Sequence, residues 1–284
     1  MATKAQQQRF LNTAQEHQRG VVKNIQSVSR RHGIERAFSD FVEISAITLA
    51  RLDQTQFDAR EARYLQIVGH YDRDELTLLV EAFLHLVMAF ERHVHVDDDG
   101  QLIAATFSDI LGCIYMMLDL GNAGAGQFFT PYEVSLLMAK MTMTDAKPLI
   151  EKRGFRLLEP TAGAGGIMIA AAQVLAEEGV NYQQCMHVTA IDIDQRCVHM
   201  TYIQCALLHI PAAVIHGNSL ADEVRSIWYT PAHILGGWGA KLRANDAQNG
   251  ARALVQASAV AASPASGKAE GAPRQKGASQ MTLF

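Results

Sequence analysis

The chain has 284 residues, 49% of them hydrophobic and 19% charged, with a formal net charge of −4. That is the composition of a globular protein with one sizeable core, or a core plus a helical lobe, and it excludes an overall basic nucleic-acid binder. The four cysteines, Cys113, Cys185, Cys197 and Cys205, form no C-x-x-C pair, which argues against a zinc site or a disulfide framework and fits a reduced, cytoplasmic setting.

The first 36 residues carry Lys4, Arg9, Arg19, Lys23, Arg30, Arg31 and Arg36 against Glu16 and Glu35, whereas residues 40–119 are acid-rich. A basic arm on an acidic body can favour nucleic acid at one end, but a solvated helical face explains the same charges more simply. The opening MATKAQQQRF lacks the apolar core of a signal peptide. Residues 1–120 read as mostly helical, with apolar residues at three- and four-residue steps in 40-DFVEISAITLARL-52, 60-REARYLQIVGHY-71 and 107-FSDILGCIYMMLDL-120. The most apolar run, 76-LTLLVEAFLHLVMAF-90, is interrupted by Glu81 and His85 and is shorter than a membrane span. It reads as a buried helix, and no membrane partner is expected. His93 and His95 form an H-x-H, but the acids nearby, Asp97 to Asp99, read as a turn before Gly100, so no metal site is expected.

Residues 121–220 alternate helix and strand. After the small-residue loop 121-GNAGAG-126 comes 126-GQFFTPYEV-134. Thr130, Pro131 and Glu133 make a capping box with proline at the first helical position. Gln127, Phe128 and Phe129 are not needed for the cap, and aromatics before a helix start can cover a planar or apolar ligand. Next, 155-FRLLEPTAGAGGIMIAAAQVLAE-177 reads as a strand over 155–158, a glycine turn at Gly163, Gly165 and Gly166, and a helix over 167–176. Strand, glycine turn and helix form the first unit of a doubly wound nucleotide-binding sheet. Neither G-x-G-x-x-G nor a P-loop GK[ST] is present, and an acid before the turn, Glu159, disfavours a phosphate and favours a cationic or hydroxyl-bearing ligand.

A second unit follows. The strand 187-HVTAIDID-194 ends in Asp192 and Asp194, and an acid at this place can accept from ribose hydroxyls. A helix over 195–210 leads to a third strand, 212-AAVIHGN-218. Side chains at consecutive strand ends converge on one crevice.

These motifs, in this order, resemble the N(6)-adenine DNA methyltransferases, and in particular the modification subunits of type I restriction systems. The matching segments are 127-QFFTP-131, 159-EPTAGAGG-166, 190-AIDID-194 and 217-GNSL-220, with 109-DILGCIYMML-118 similar to the family's helical lead-in. The resemblance covers roughly residues 55–220. It implies an α/β fold: a helical N-terminal lobe followed by a Rossmann-like S-adenosylmethionine-dependent methyltransferase sheet, truncated relative to the family's. The lobe is expected over 1–120, the S-adenosylmethionine-binding domain over 121–244 and a flexible tail over 245–284. S-adenosylmethionine is the implied cofactor. Phe129, Thr130 and Pro131 would lie beside its methionine part, and Glu159, Thr161, Gly163 and Gly165 would face its amino-acid end. Asp192 would hold the ribose hydroxyls. Asn218, where the family usually has Asp, would accept from the adenine amino group. DNA is the implied substrate, with a specificity subunit or a second methylase subunit as partner.

The chain departs from the family at the catalytic motif, an Asn- or Asp-Pro-Pro-Tyr/Phe tetrapeptide that receives the target amino group and stacks on the flipped base. The nearest sequence is 229-YTPA-232. Tyr229, Thr230 and Pro231 are therefore the candidate acceptor site, with Trp228 and Trp238 as further rings. The remainder, 233-HILGGWGAKLR-243, is too short for the later strands of a complete sheet. Three readings follow: an active, compact DNA adenine methyltransferase, a catalytically silent cofactor-binding relative acting with another methylase subunit, and a different nucleotide-binding protein on the same sheet.

Residues 245–284 are rich in Ala, Ser, Gly and Gln and lack periodicity, a composition that reads as disordered. They end in 280-QMTLF-284, which resembles the short peptide by which bacterial replication and repair proteins grip the DNA sliding clamp. Leu283 and Phe284 would fill one apolar pocket, Met281 a second, and Gln280 would make polar contacts. A tethered peptide of this kind raises effective concentration without a large interface.

Overall fold

The computed structural model describes residues 16–91, 94–96, 102–120, 129–143 and 147–247. Four helices open the chain: α1 (Glu16–His32), α2 (Ile34–Leu49), α3 (Phe57–Val68) and α4 (Arg73–Glu91). In α1, Val21, Val22, Ile25 and Val28 recur on one side and are buried, while Arg30, Arg31 and His32 fill the last turn, where positive charge suits the helix dipole. That face packs on α4, with Asn24 donating to Glu81. The basic residues of this region turn to acids of the same lobe: Arg31 to Asp72 and Glu75, and Arg36 to Asp40. The solvated-face reading accounts for these two arginines, while Lys4 and Arg9 lie outside the described residues.

The stretch expected to be mostly helical is interrupted. Strands β1 (Val94–Val96) and β2 (Leu102–Ala105) pair antiparallel, His95 opposite Ala104. His93 and Asp97 to Asp99 lie outside the described residues. Helix α5 (Ile110–Met117) follows, capped by the Asp109 carboxylate, which accepts from Gly112 N–H at 2.8 Å.

Helices α6 (Tyr132–Met143) and α7 (Lys147–Arg153) precede the sheet. Its strands are β3 (Phe155–Glu159), β4 (Met186–Asp192), β5 (Ala212–Asn218) and β6 (Glu223–Tyr229), in that spatial order. The first three are parallel and β6 runs antiparallel to β5. Helix α8 (Gly166–Glu177) and the single turn α9 (Tyr182–Cys185) connect β3 to β4, and α10 (Gln195–Leu207) connects β4 to β5. Parallel strands need such crossovers. Leu157, Met186, Val188, Ala190, Ala212 and Val214 alternate onto one buried face, where α10 packs on β4 and β5 and touches α8.

Helix α10 also packs against α2, which explains why residues 197–206 are all buried. It joins the lobe to the sheet. A second tie runs to β6: Gln56 and Arg60 both donate to the Ile227 carbonyl, and Arg60 lies 4.1 Å from the Trp228 ring centre.

On the opposite face, α11 (Pro231–Leu235) and α12 (residues 238–247) cover one end of the sheet. His187 hydrogen-bonds His233 at 2.9 Å and packs 5.4 Å from Trp238, and Arg156 reaches Asp246 and the Leu242 carbonyl. The stretch after 218 supplies a fourth strand and two helices, with no further strand over 233–243, and residues 245–247 lie in α12. Residues 248–284, including Gln280, Met281, Leu283 and Phe284, lie outside the described residues. Among the described residues no helix is long and apolar enough to cross a membrane.

Candidate functional site

The carboxyl ends of β3, β4 and β5 bring Glu159, Asp192 and Asn218 to one edge of the sheet. Between β3 and α8 the chain makes a tight loop, held down at almost every amide. Ala162 N–H donates to the Ile191 carbonyl at 2.8 Å. Gly163 N–H donates to Asp192 Oδ2 at 2.8 Å. Glu159 Oε1 accepts from both the N–H and the hydroxyl of Thr161, each at 3.0 Å. Gly163 sits at φ 55, a left-handed conformation, and a Cβ there would stand 3.1 Å from the Phe129 ring. Both facts favour glycine. Phe129 in turn lies 5.0 Å from the Tyr115 ring, so α5 supports the aromatic that covers the loop.

Above the loop opens a cavity of about 690 Å³, within the size range of small-molecule sites. Of the residues expected at a cofactor, Phe129, Thr130, Glu159, Thr161, Gly163, Asp192 and Asn218 line it. Pro131 and Gly165 stand just behind the lining, Pro131 accepting the first backbone bonds of α6 and Gly165 capping α8. Helix α6 therefore begins at Tyr132, one residue later than the capping box suggests. Gln127 and Phe128 lie outside the described residues.

The electrostatics of the cavity are set by two carboxyl groups. Burial pushes both the Glu159 and Asp192 carboxyls above the usual range, opposed by the bonds each accepts from the loop backbone. A cationic ligand would offset the desolvation of these acids. Asp192 Oδ1 is also engaged, accepting from Asp194 N–H at 2.9 Å, while Asp194 caps α10. Asp192 lines the cavity and keeps acceptor capacity toward it. Asn218 Oδ1 accepts from Leu220 and Ala221 N–H at 3.0 and 3.3 Å, closing the turn into β6. Its side-chain NH2 is thus the group it presents, a donor where an acceptor was expected.

The expected acceptor site is not part of this cavity. Because β6 is antiparallel to β5, Tyr229 pairs with Ala213, at the end of β5 remote from Asn218. Five residues of strand, roughly 16 Å, separate the two ends. Thr230 is fully buried, donates to the Ile210 carbonyl, accepts from Ala212 N–H and caps α11. Pro131 and Pro231 both follow a threonine at a helix start, but only the first of these threonines, Thr130, lines the cavity. Tyr229 stacks on His233 at 4.6 Å. Thr-Pro at 230–231 is a helix start, and the local sequence cannot distinguish that from a catalytic remnant.

Sequence reasoning missed Ser135 and Met138 in the lining and Thr201 and Gln204 behind the loop. The last two carried a signal: they are polar residues inside a helix with no solvent-facing side.

Residues 106–235 match the family model described as N-6 DNA methylase. The match begins later than the motif resemblance and runs on through α11. Among solved structures, a Listeria monocytogenes protein assigned as a class I S-adenosylmethionine-dependent methyltransferase aligns at 13% identity and TM-score 0.42, over 75% of this chain and 57% of that one. The methyltransferase subunit of a type I restriction-modification system from Streptococcus thermophilus aligns at 18% identity and TM-score 0.30, over 52% of this chain and 28% of that one. The chain thus spans little more than half of the first protein and under a third of the second. No curated protein matches the chain.

Proposed function

We propose that this chain, which resembles the N-6 DNA methylases over residues 106–235, binds S-adenosylmethionine at the ends of β3, β4 and β5 and serves methylation of the exocyclic amino group of adenine in DNA. The observation that carries the reading is the pair of desolvated carboxyls, Glu159 and Asp192, flanking a tight loop whose left-handed turn and close approach to Phe129 favour glycine at Gly163. The residues fit the cofactor. A molecule with a sulfonium, an ammonium and two ribose hydroxyls supplies positive charge and donors, and the cavity supplies acceptors. When bound, S-adenosylmethionine supplies a methyl group activated by its sulfonium. In this reading Asp192 holds the ribose and Glu159 the ammonium, with Phe129 shielding the loop from water. Asn218 meets the adenine edge with its NH2.

A second reading has an observation in its favour. Tyr229, Thr230 and Pro231 lie at the far end of the sheet, so the groups that would receive the target amino group are not among the described residues at the cavity. A cofactor-binding chain that works with a specificity or second methylase subunit accommodates this. The test is transfer of labelled methyl groups from S-adenosylmethionine to mixed genomic DNA, with and without co-expressed subunits. Label in N6-methyladenine with the chain alone supports the first reading. Label that requires a partner supports the second, and no label in any combination removes both.

A further inference from the structure

Helix α10 is buried throughout residues 197–206, yet Thr201 and Gln204, each 0% exposed, carry polar groups into that stretch. Both are spent on the glycine loop. Thr201 Oγ1 donates to the Gly163 carbonyl at 2.9 Å, and Gln204 Nε2 donates to the Ala164 carbonyl at 2.7 Å. Gln204 is itself fixed: its Nε2 reaches Asp109 Oδ1 at 2.7 Å and its Oε1 accepts from Leu111 N–H at 3.2 Å.

In a planar trans peptide the C=O and N–H point in opposite directions. No residue of α10 lines the cavity, whereas Gly163 and Ala164 do, so the loop stands between the helix and the cavity. Holding the Gly163 carbonyl toward α10 therefore turns the Ala164 N–H toward the cavity. The neighbouring amides are occupied: Ala162 by Ile191, Gly163 by Asp192, and Gly165 by the Ala162 carbonyl at 2.9 Å. Among the described residues the Ala164 N–H alone of these four has no partner. Glu159 commits Oε1 to Thr161, which leaves Oε2 as an acceptor in the same cavity.

One buried acceptor of negative charge and one aimed amide donor match the two ends of a zwitterionic α-amino acid. We infer that Thr201 is a positioning residue: from behind the loop it aims the Ala164 N–H at the ligand's carboxylate, so that the site selects nucleosides bearing an α-amino-acid end. This rests on the S-adenosylmethionine reading, in which the loop faces the ligand's amino-acid end, and adds the residue that aims the loop's amide.

The test is a pair of ligands titrated by calorimetry into wild type, Thr201→Val and Thr201→Ser. S-adenosylhomocysteine carries the amino-acid end, and 5′-methylthioadenosine keeps the adenosine and thioether without it. Thr201→Val is expected to weaken S-adenosylhomocysteine about tenfold and leave 5′-methylthioadenosine unchanged, while Thr201→Ser, which keeps the hydroxyl, binds both as wild type does. Equal losses for both ligands, no loss for either, or a serine variant as weak as the valine one would overturn the inference. A measurement on wild type alone guards against a valine variant that does not fold. Converting the carboxylate of S-adenosylhomocysteine to its carboxamide should cost about tenfold, because a charge-assisted bond becomes a neutral one. Equal binding of acid and amide would overturn the inference while leaving the cofactor reading intact, and binding of neither nucleoside by wild type would remove both.

Discussion

His199 shows how much one side chain can reveal about the core. It sits on α10 with its ring edge-on to Trp228 at 5.0 Å, and its Nε2 has no hydrogen-bond partner among the described residues. Burial, helped by the positive groups of His216, Arg63 and Arg60, pushes its pKa from the ordinary 6.5 down to about 3. The folded state thus keeps His199 neutral while the unfolded state takes up a proton. Its contribution to stability is complete above pH 6.5 and declines as the pH falls from 6.5 toward 3. Between about pH 7.5 and pH 5 the loss should be about 2 kcal/mol. The Glu159 and Asp192 carboxyls, raised by burial, act in the opposite sense, favouring the folded state as pH falls. Comparing wild type with His199→Phe isolates the histidine, since both proteins retain those acids. Chemical denaturation at the two pH values should show a smaller acid loss in the phenylalanine variant, and parallel losses in both proteins would refute the assignment.

At the scale of elements, the strongest prediction concerns α11. Thr230 makes three buried bonds at the junction of β5, β6 and α11. Thr230→Ala should cost roughly 1–3 kcal/mol of stability, since three buried backbone groups lose a partner. Affinity for S-adenosylhomocysteine should be unchanged, and a selective loss of affinity with normal stability would restore Thr230 to the site. The elements around the cavity were legible because each carries a signal local in sequence. The β5 limits 212–218 are the same in sequence and structure, and β3, α8 and β4 agree to within a residue or two, because apolar period and glycine turn coincide there. Strand β6 was not legible. Val224 points to solvent, the apolar residues cluster at 227–229, and the turn before it holds Asp222 at φ 52 with no glycine to announce it. What holds it is tertiary: Arg60 and Gln56 bond the Ile227 carbonyl, and Trp228 packs on His199 and Tyr202. The β1–β2 hairpin escaped for a related reason, being three and four residues long inside a helical region.

Across the whole molecule, α10 is the member that makes lobe, sheet and cavity one unit. It packs on α2, fills the sheet's buried face and holds the glycine loop through Thr201 and Gln204. Seven of the residues expected at a cofactor line one cavity, so the cavity itself was readable from motifs. The place of Tyr229 to Pro231 was not, because strand direction decides which end of β6 lies by the cavity, and direction is a property of pairing. The central claim is that this cavity binds S-adenosylmethionine through Asp192. Isothermal titration of S-adenosylhomocysteine into wild type and Asp192→Ala tests it most directly, with circular dichroism confirming that the variant is folded despite losing the Gly163 anchor. Saturable binding that weakens by roughly 1.5–3 kcal/mol in Asp192→Ala is the expected result. Equal affinity of a folded variant, or preference of wild type for a nicotinamide cofactor, would contradict it.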